Sequence, residues 1–207
     1  NGRNTEAVHG YSASVTQGGD LAVESPQGER VVVGFDKEGR QRLERWLDGT
    51  GFGGTTVLRD DGRGFLDRRD RLVSVSVVST ATLREAASWF EGIGVGGMRR
   101  RLRMNIEIDG VPAFWEDRFA GDGTPDVSVG GVRLEGVEPC NRCAVPTRDP
   151  ETGERREGFR EEFVERRGPT VPENDAFDRA YTAGLICRVA DSDRGSTLRV
   201  GDLVGKV

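Results

Sequence analysis

The sequence predicts a mixed α/β, β-rich fold, a barrel of short strands with helical excursions. Three observations carry this. Runs of Val, Leu and Ile recur at short intervals, separated by turns bearing Gly, Asp or Pro. Two or three other segments show the 3.6-residue apolar spacing of a helix, with a capping residue in front. The chain has 207 residues with 30 Gly and 8 Pro, less than the roughly 25–30% that marks low-complexity disorder. Its length is ample for a core.

In chain order, residues 1–34 read as short strands. Residues 8–15 are mixed, Leu21-Ala22-Val23 runs into the turn Ser25-Pro26-Gln27-Gly28, and Val31-Val32-Val33 ends at Gly34. Asp36 caps a helix to about Leu47, with Leu43, Trp46 and Leu47 on one face. Residues 49–54 form a loop, and strands follow at 55–59 and 72–79. Ser79 or Thr80 then caps a helix to about Phe90, with Glu85 supporting a capping-box-like start and Leu83, Ala86, Ala87 and Phe90 facing the core. Residues 92–97 end that helix. Met104-Asn105-Ile106-Glu107-Ile108 alternates as a half-buried strand does. Two short strands lie in 127–137, and strands at 185–189 and 198–204 flank a polar turn at 191–196. Residues 154–167 alternate acids and bases around Phe159 and Phe163, the pattern of a surface helix docked by its two rings.

Several function classes are excluded. The longest apolar run, 72–78, is broken by Ser74 and Ser76 and falls far short of the roughly 18 residues that cross a bilayer. No membrane role and no cleavable signal are expected. The 3 cysteines do not form a disulfide scaffold, so a reducing, cytoplasmic setting is expected. A net charge of −5 argues against nucleic acid as partner. Lys37 and Lys206 are the only lysines; the remaining basic residues are Arg, the side chain suited to a bidentate grip on phosphate or carboxylate.

Two segments can carry chemistry. In the first, Pro139 and Pro146 bracket Cys140-Asn141-Arg142-Cys143, so the thiols lie on an extended or looped rim rather than in a helix, followed by the turn Asp149-Pro150-Glu151-Thr152-Gly153. The C-x-x-C spacing has four readings. Zinc needs about four ligands, and only Cys187 and His9 remain. A thioredoxin-type pair needs a helix after it. A single thiolate can bind a soft metal, with Arg142 favouring the ionised form. The pair can also be merely structural. In the second segment, Arg99-Arg100-Arg101-Leu102-Arg103-Met104-Asn105 leads into a strand on which Arg103 and Asn105 share a face. Arg offers a fork for an anion and Asn a donor–acceptor pair for a heterocycle edge; a solvated basic patch is the alternative.

The pattern C-x-R-C-x-x-x-T-x-D-P-x-T-G at 140–153, with Arg-Leu-Arg-Met-Asn upstream and Leu198-Arg199-Val200-Gly201-Asp202-Leu203-Val204 near the end, resembles the MOSC family of molybdenum-cofactor proteins. The likeness points to its amidoxime-reducing component branch. It implies a MOSC domain over 67–207, a MOSC-type β-barrel, preceded over 1–66 by the later part of an N-terminal β-barrel domain whose start lies upstream of Asn1. It implies that Cys143 ligates molybdenum, that Asn141 and Arg142 touch the pterin, that Arg103 and Asn105 hold the cofactor, and that Arg3 reaches the same site at the junction of the domains. A tyrosine of that branch is replaced by Ile186, and Cys140 has no assigned role. The resemblance also brings an expectation of pterin, molybdenum-ion and pyridoxal phosphate binding. The implied activity is reduction of a small N-hydroxylated substrate, with molybdenum cofactor (Mo-molybdopterin) as redox centre. Electrons would come from a separate donor such as a ferredoxin or flavoprotein, since no four-cysteine iron–sulfur module follows Val204. The alternatives are a carrier of the cofactor, or of sulfur through Cys143, and a scaffold that has lost the cofactor.

Overall fold

The computed structural model describes residues 7–50, 65–66, 72–73, 75–168, 176–177 and 179–207. Chain contacts divide it into two units, Asn1–Asp61 with Arg148–Arg156, and Gly62–Thr147 with Glu157–Val207.

The first unit is built on a meander. Strands β1 (Ser12–Val15), β2 (Leu21–Glu24) and β3 (Arg30–Val33) form an antiparallel sheet in that order. Tight turns join them, with Thr16 N–H donating to Asp20 O at 2.8 Å and Ser25 N–H to Glu29 O at 2.8 Å. Residues 7–10, read as part of a strand, instead make a 3-10 turn, Ala7–Gly10. Asp36 caps helix α1 (Lys37–Gly49), its side chain accepting the Gly39 N–H at 2.7 Å. Leu43 then buries against Val23, Val31 and Val33, with Trp46 and Leu47 alongside. The expected turn at 149–153 is present: Asp149 Oδ1 accepts the N–H groups of Glu151 and Thr152, and Gly153 N–H returns to Asp149 O. The strand expected at 55–59 lies outside the described residues.

The second unit has the mixed, β-rich architecture expected from the sequence. After a short pair, β4 (Phe65–Leu66) and β5 (Leu72–Val73), come β6 (Val75–Ser79), α2 (Thr80–Ser88), α3 (Val95–Leu102) and β7 (Ile106–Ile108). Then follow β8 (Val127–Val129), β9 (Val132–Asn141), α4 (Phe159–Arg167), β10 (Thr182–Val189) and β11 (Val204–Lys206). The main sheet has the order β11-β8-β9-β10-β6-β7 and is nearly closed into a barrel, consistent with a MOSC β-barrel. β6 and β7 are parallel, joined through α2 and α3; the other neighbours are antiparallel. One core packs α2, α3 and α4 through Leu83, Ala86, Phe90, Met98, Leu102, Phe159 and Phe163. A second packs Val77, Ile108, Phe119, Val127, Leu134, Leu185 and Cys187.

Ser79 ends β6 and caps α2, accepting the Thr82 N–H at 3.0 Å. Glu85 takes no part in that cap; its carboxylate accepts the Trp89 indole N–H at 3.1 Å. The largest departure is α3. Gly96 and Gly97 argue against a helix by propensity, at about 1 kcal/mol each, yet Met98 and Leu102 are fully buried and decide the matter. Arg99, Arg100 and Arg101 fall in its last turn, where cations suit the negative end of the helix. Arg103 closes the helix in the left-handed conformation, φ 52°. Arg103 is therefore a helix C-cap, not a strand residue sharing a face with Asn105, and β7 starts only at Ile106. Near the C-terminus the extended strand is 204–206, and residues 198–203 are not strand. Among the described residues, no helix is long and apolar enough to cross a membrane.

Candidate functional site

The site grows from the ends of β9 and β10. These strands pair through Leu185–Pro139 and Thr182–Asn141, with irregular register between. One step further, Arg142 N–H donates to Tyr181 O at 2.9 Å. The ladder thus runs to the edge of the Cys-containing turn and sets Tyr181 across from Arg142. Beyond it the chain passes Cys143 and Ala144 into a 3-10 turn, Val145–Thr147, closed by Thr147 N–H and Oγ1 on Ala144 O. Arg101 from α3 pins this turn, Nη1 donating to Pro146 O at 3.1 Å. The two prolines thus bracket a strand end and a short turn, as their spacing requires, and no α-helix starts at the cysteines.

The three thiols are all free, in different settings. Cys143 and Cys140 are half-buried. Cys187 is buried in β10, and burial, aided by the charge of Asp126, pushes its thiol up to about 12. The guanidinium of Arg142 does not close on Cys143. Its Nη1 donates to Cys140 Sγ at 2.8 Å and Met104 Sδ at 3.4 Å, and Nη2 to Leu102 O at 2.5 Å. Sequence spacing left open which thiol Arg142 serves; the fold gives it to Cys140 and leaves Cys143 clear.

Three buried polar atoms here have no hydrogen-bond partner among the described residues: Asn141 Oδ1, Arg142 Nε and Tyr181 OH. Buried polar groups are nearly always paired, so three such atoms at one strand end mark a place where a partner belongs. Tyr181 was not anticipated from the sequence, because β10 was read as starting at residue 185. Burial pushes its phenol up to about 12; the nearby Arg142 charge opposes this and Cys143 adds to it.

Asn105 sits just before β7, its Oδ1 accepting Ser76 N–H and Oγ–H, each at 2.9 Å. Its side-chain nitrogen donates to no described residue. Asn105, Met104, Arg99, Glu107, Val78 and Leu83 line a cleft of about 230 Å³. Arg99 closes one side through a paired contact with Glu107, 2.5 and 2.8 Å, which holds the Glu107 carboxyl below its usual range. Met104 both lines this cleft and touches Arg142, so the structure brings Asn105 near the Arg142–Cys140 side of the site. Arg103 is exposed and pairs with no described residue. Arg3 lies outside the described residues. Ile186 is half-buried in β10, opposite Glu138 and Ser76.

Among the described residues, no three His, Cys, Asp or Glu side chains gather into a metal-ligand group.

The MOSC domain family model matches residues 73–205. The chain belongs to the MOSC domain family. It is also similar to molybdenum cofactor sulfurase of Bos taurus, 33% identical over 67 residues. That match covers 32% of this chain and 7% of the length of the relative. The MOSC match spans β6 to β11, including both strands and the turn that carry the site. It relates the chain to molybdenum-cofactor-associated proteins.

Proposed function

We propose that this MOSC protein binds molybdenum cofactor at the Cys143 turn and reduces N-hydroxylated compounds with electrons from a separate donor such as a ferredoxin or flavoprotein. Residues 67–207 form the cofactor-binding domain in this reading, and 1–66 the later part of a second barrel domain. The observation that carries it is the grouping of a half-buried free thiol with the orphaned atoms Asn141 Oδ1, Arg142 Nε and Tyr181 OH. The set fits a pterin dithiolene: a thiolate for the metal, and donors and an acceptor for ring edges.

When bound, the cofactor supplies a redox metal for removing oxygen from an N–O group, a change that takes two electrons and two protons and releases water. The protein's part is binding and orientation. Cys143 offers one sulfur, on a turn that Arg101 and Thr147 hold rigid. Arg142 is fixed by Leu102 O, so its remaining donor stays in place. Arg103, exposed and paired with no described residue, offers its fork to a phosphate, and Asn105 offers its amide nitrogen. Arg3 is proposed for the same role from the N-terminal segment.

The similarity to a molybdenum cofactor sulfurase supports a second reading, a carrier of cofactor or of sulfur through Cys143. Elemental analysis for molybdenum, followed by reduction of a hydroxylamine-type substrate with a chemical reductant, separates the two. Bound metal with turnover supports the reductase; bound metal without turnover supports the carrier. A Cys143→Ala protein with unchanged metal content and activity refutes the ligand assignment.

A further inference from the structure

We infer that Tyr181 is a binding residue of this site, its hydroxyl donating a hydrogen bond to the group held at Cys143. The inference deepens the cofactor-binding reading and rests on it. Tyr181 is 5% exposed, and its hydroxyl is buried with no hydrogen-bond partner among the described residues. A buried phenol normally finds an acceptor, and leaving that bond unmade is costly. The ring has ample reason to be there: Phe163 meets it edge-on at 5.3 Å and the Arg160 guanidinium lies 5.4 Å from its centroid. Phenylalanine would keep those contacts without the orphaned oxygen. The hydroxyl therefore answers to something outside the fold.

Its position says what. The Tyr181 carbonyl takes the Arg142 N–H, and Arg142 and Cys143 both act electrostatically on the phenol. The two other orphaned atoms of this strand end, Asn141 Oδ1 and Arg142 Nε, belong to the residues just before Cys143. A donor here suits an oxygen or sulfur acceptor of the bound group. The hydroxyl is buried here, so loading must uncover it.

The test compares wild type, Tyr181→Phe and Cys143→Ala, each purified unloaded and then loaded with molybdenum cofactor. Two quantities are read: the melting temperature of the unloaded protein, and the rate at which loaded protein loses molybdenum to a large excess of buffer. For Tyr181→Phe the expected result is an unloaded melting temperature equal to or above wild type, with cofactor loss faster by about tenfold. A purely structural tyrosine gives the opposite pair, a lowered melting temperature and unchanged loss, and overturns the inference. Equal loss rates for Tyr181→Phe and wild type, with Cys143→Ala faster, also overturn it while leaving the cofactor reading intact. Failure of wild type itself to retain molybdenum overturns both.

Discussion

The ion pair between Asp117 and Arg167 gives the sharpest test of how the site's strand is anchored. Arg167, at the end of α4, places Nη2 2.6 Å from Asp117 Oδ2, with the two side chains 1% and 2% exposed. Its Nε also donates to Thr182 O at 3.1 Å, the first residue of β10 and the neighbour of Tyr181. The guanidinium lies 3.9 Å from the centroid of the Phe114 ring. Asp117→Ala leaves that cation enclosed and removes its 2.6 Å carboxylate contact. Breaking a buried pair from one side costs about 3–5 kcal/mol. At roughly 2–4 °C per kcal/mol for a chain of this size, the melting temperature should fall by roughly 6–20 °C. The double variant Asp117→Ala/Arg167→Met removes the stranded charge and should be more stable than Asp117→Ala alone. Urea unfolding followed by fluorescence measures both. A loss below about 1 kcal/mol for Asp117→Ala, or a double variant weaker than the single, refutes the reasoning, because the cation would then be reaching water.

Three further outcomes follow from the same structure. In native protein at pH 8, iodoacetamide followed by mass spectrometry should label Cys143 and leave Cys187 unmodified, since burial pushes the Cys187 thiol up to about 12; early labelling of Cys187 contradicts its burial. Burial also raises the carboxyl of Glu116, against hydrogen bonds that include the Ser79 N–H. A carboxyl raised on folding holds its proton better in the folded state, so stability falls as pH rises from the ordinary carboxylate range through the folded value. Glu116→Gln should flatten that dependence, its gain over wild type growing with pH, as urea unfolding at pH 4.5, 6 and 7.5 would show. Gly184, at φ +82°, sits where a Cβ would meet Val77 O at 2.8 Å and Met104 Cε at 2.3 Å; Gly184→Ala should lose at least about 2 kcal/mol in chemical denaturation, and a neutral result would mean the strand relaxes freely there.

What could be read from the sequence divides along physical lines. Asp36 and Ser79 announce their helices because a cap is a local signal, decided by residues three apart. The docking of α4 by Phe159 and Phe163 was equally legible, since an i,i+4 pair of rings on a charged helix has one apolar face. Helix α3 was not, because its glycines speak locally against it and only the burial of Met98 and Leu102 in the tertiary structure outvotes them. That single miss moved Arg103 from a strand face to a helix end. At the site, Cys143, Asn141 and Arg142 stood out by their spacing between prolines and by family resemblance. The partner of Arg142 did not, because the choice between Cys140, two residues before it, and Cys143, its next neighbour, is made by the turn, not by composition. Tyr181 carried no signal in sequence; its interest lies wholly in what its hydroxyl lacks.

The contrast between Thr182, the first residue of β10, and Tyr181 just before it sharpens the argument for a site. Thr182 has its carbonyl taken by a guanidinium that is itself paired and stacked, a buried charge provided with everything it needs. One residue earlier, Tyr181 is as deeply buried and its hydroxyl has nothing. A fold able to satisfy an ion pair in its interior is not short of means to satisfy a phenol. Among the described residues Glu116 Oε2 and Arg101 Nε are also buried without a hydrogen-bond partner. Local rules that a structure otherwise obeys tend to be broken where function requires it. Here three of the five breaks among the described residues fall at Asn141, Arg142 and Tyr181, at the strand end that leads into Cys143.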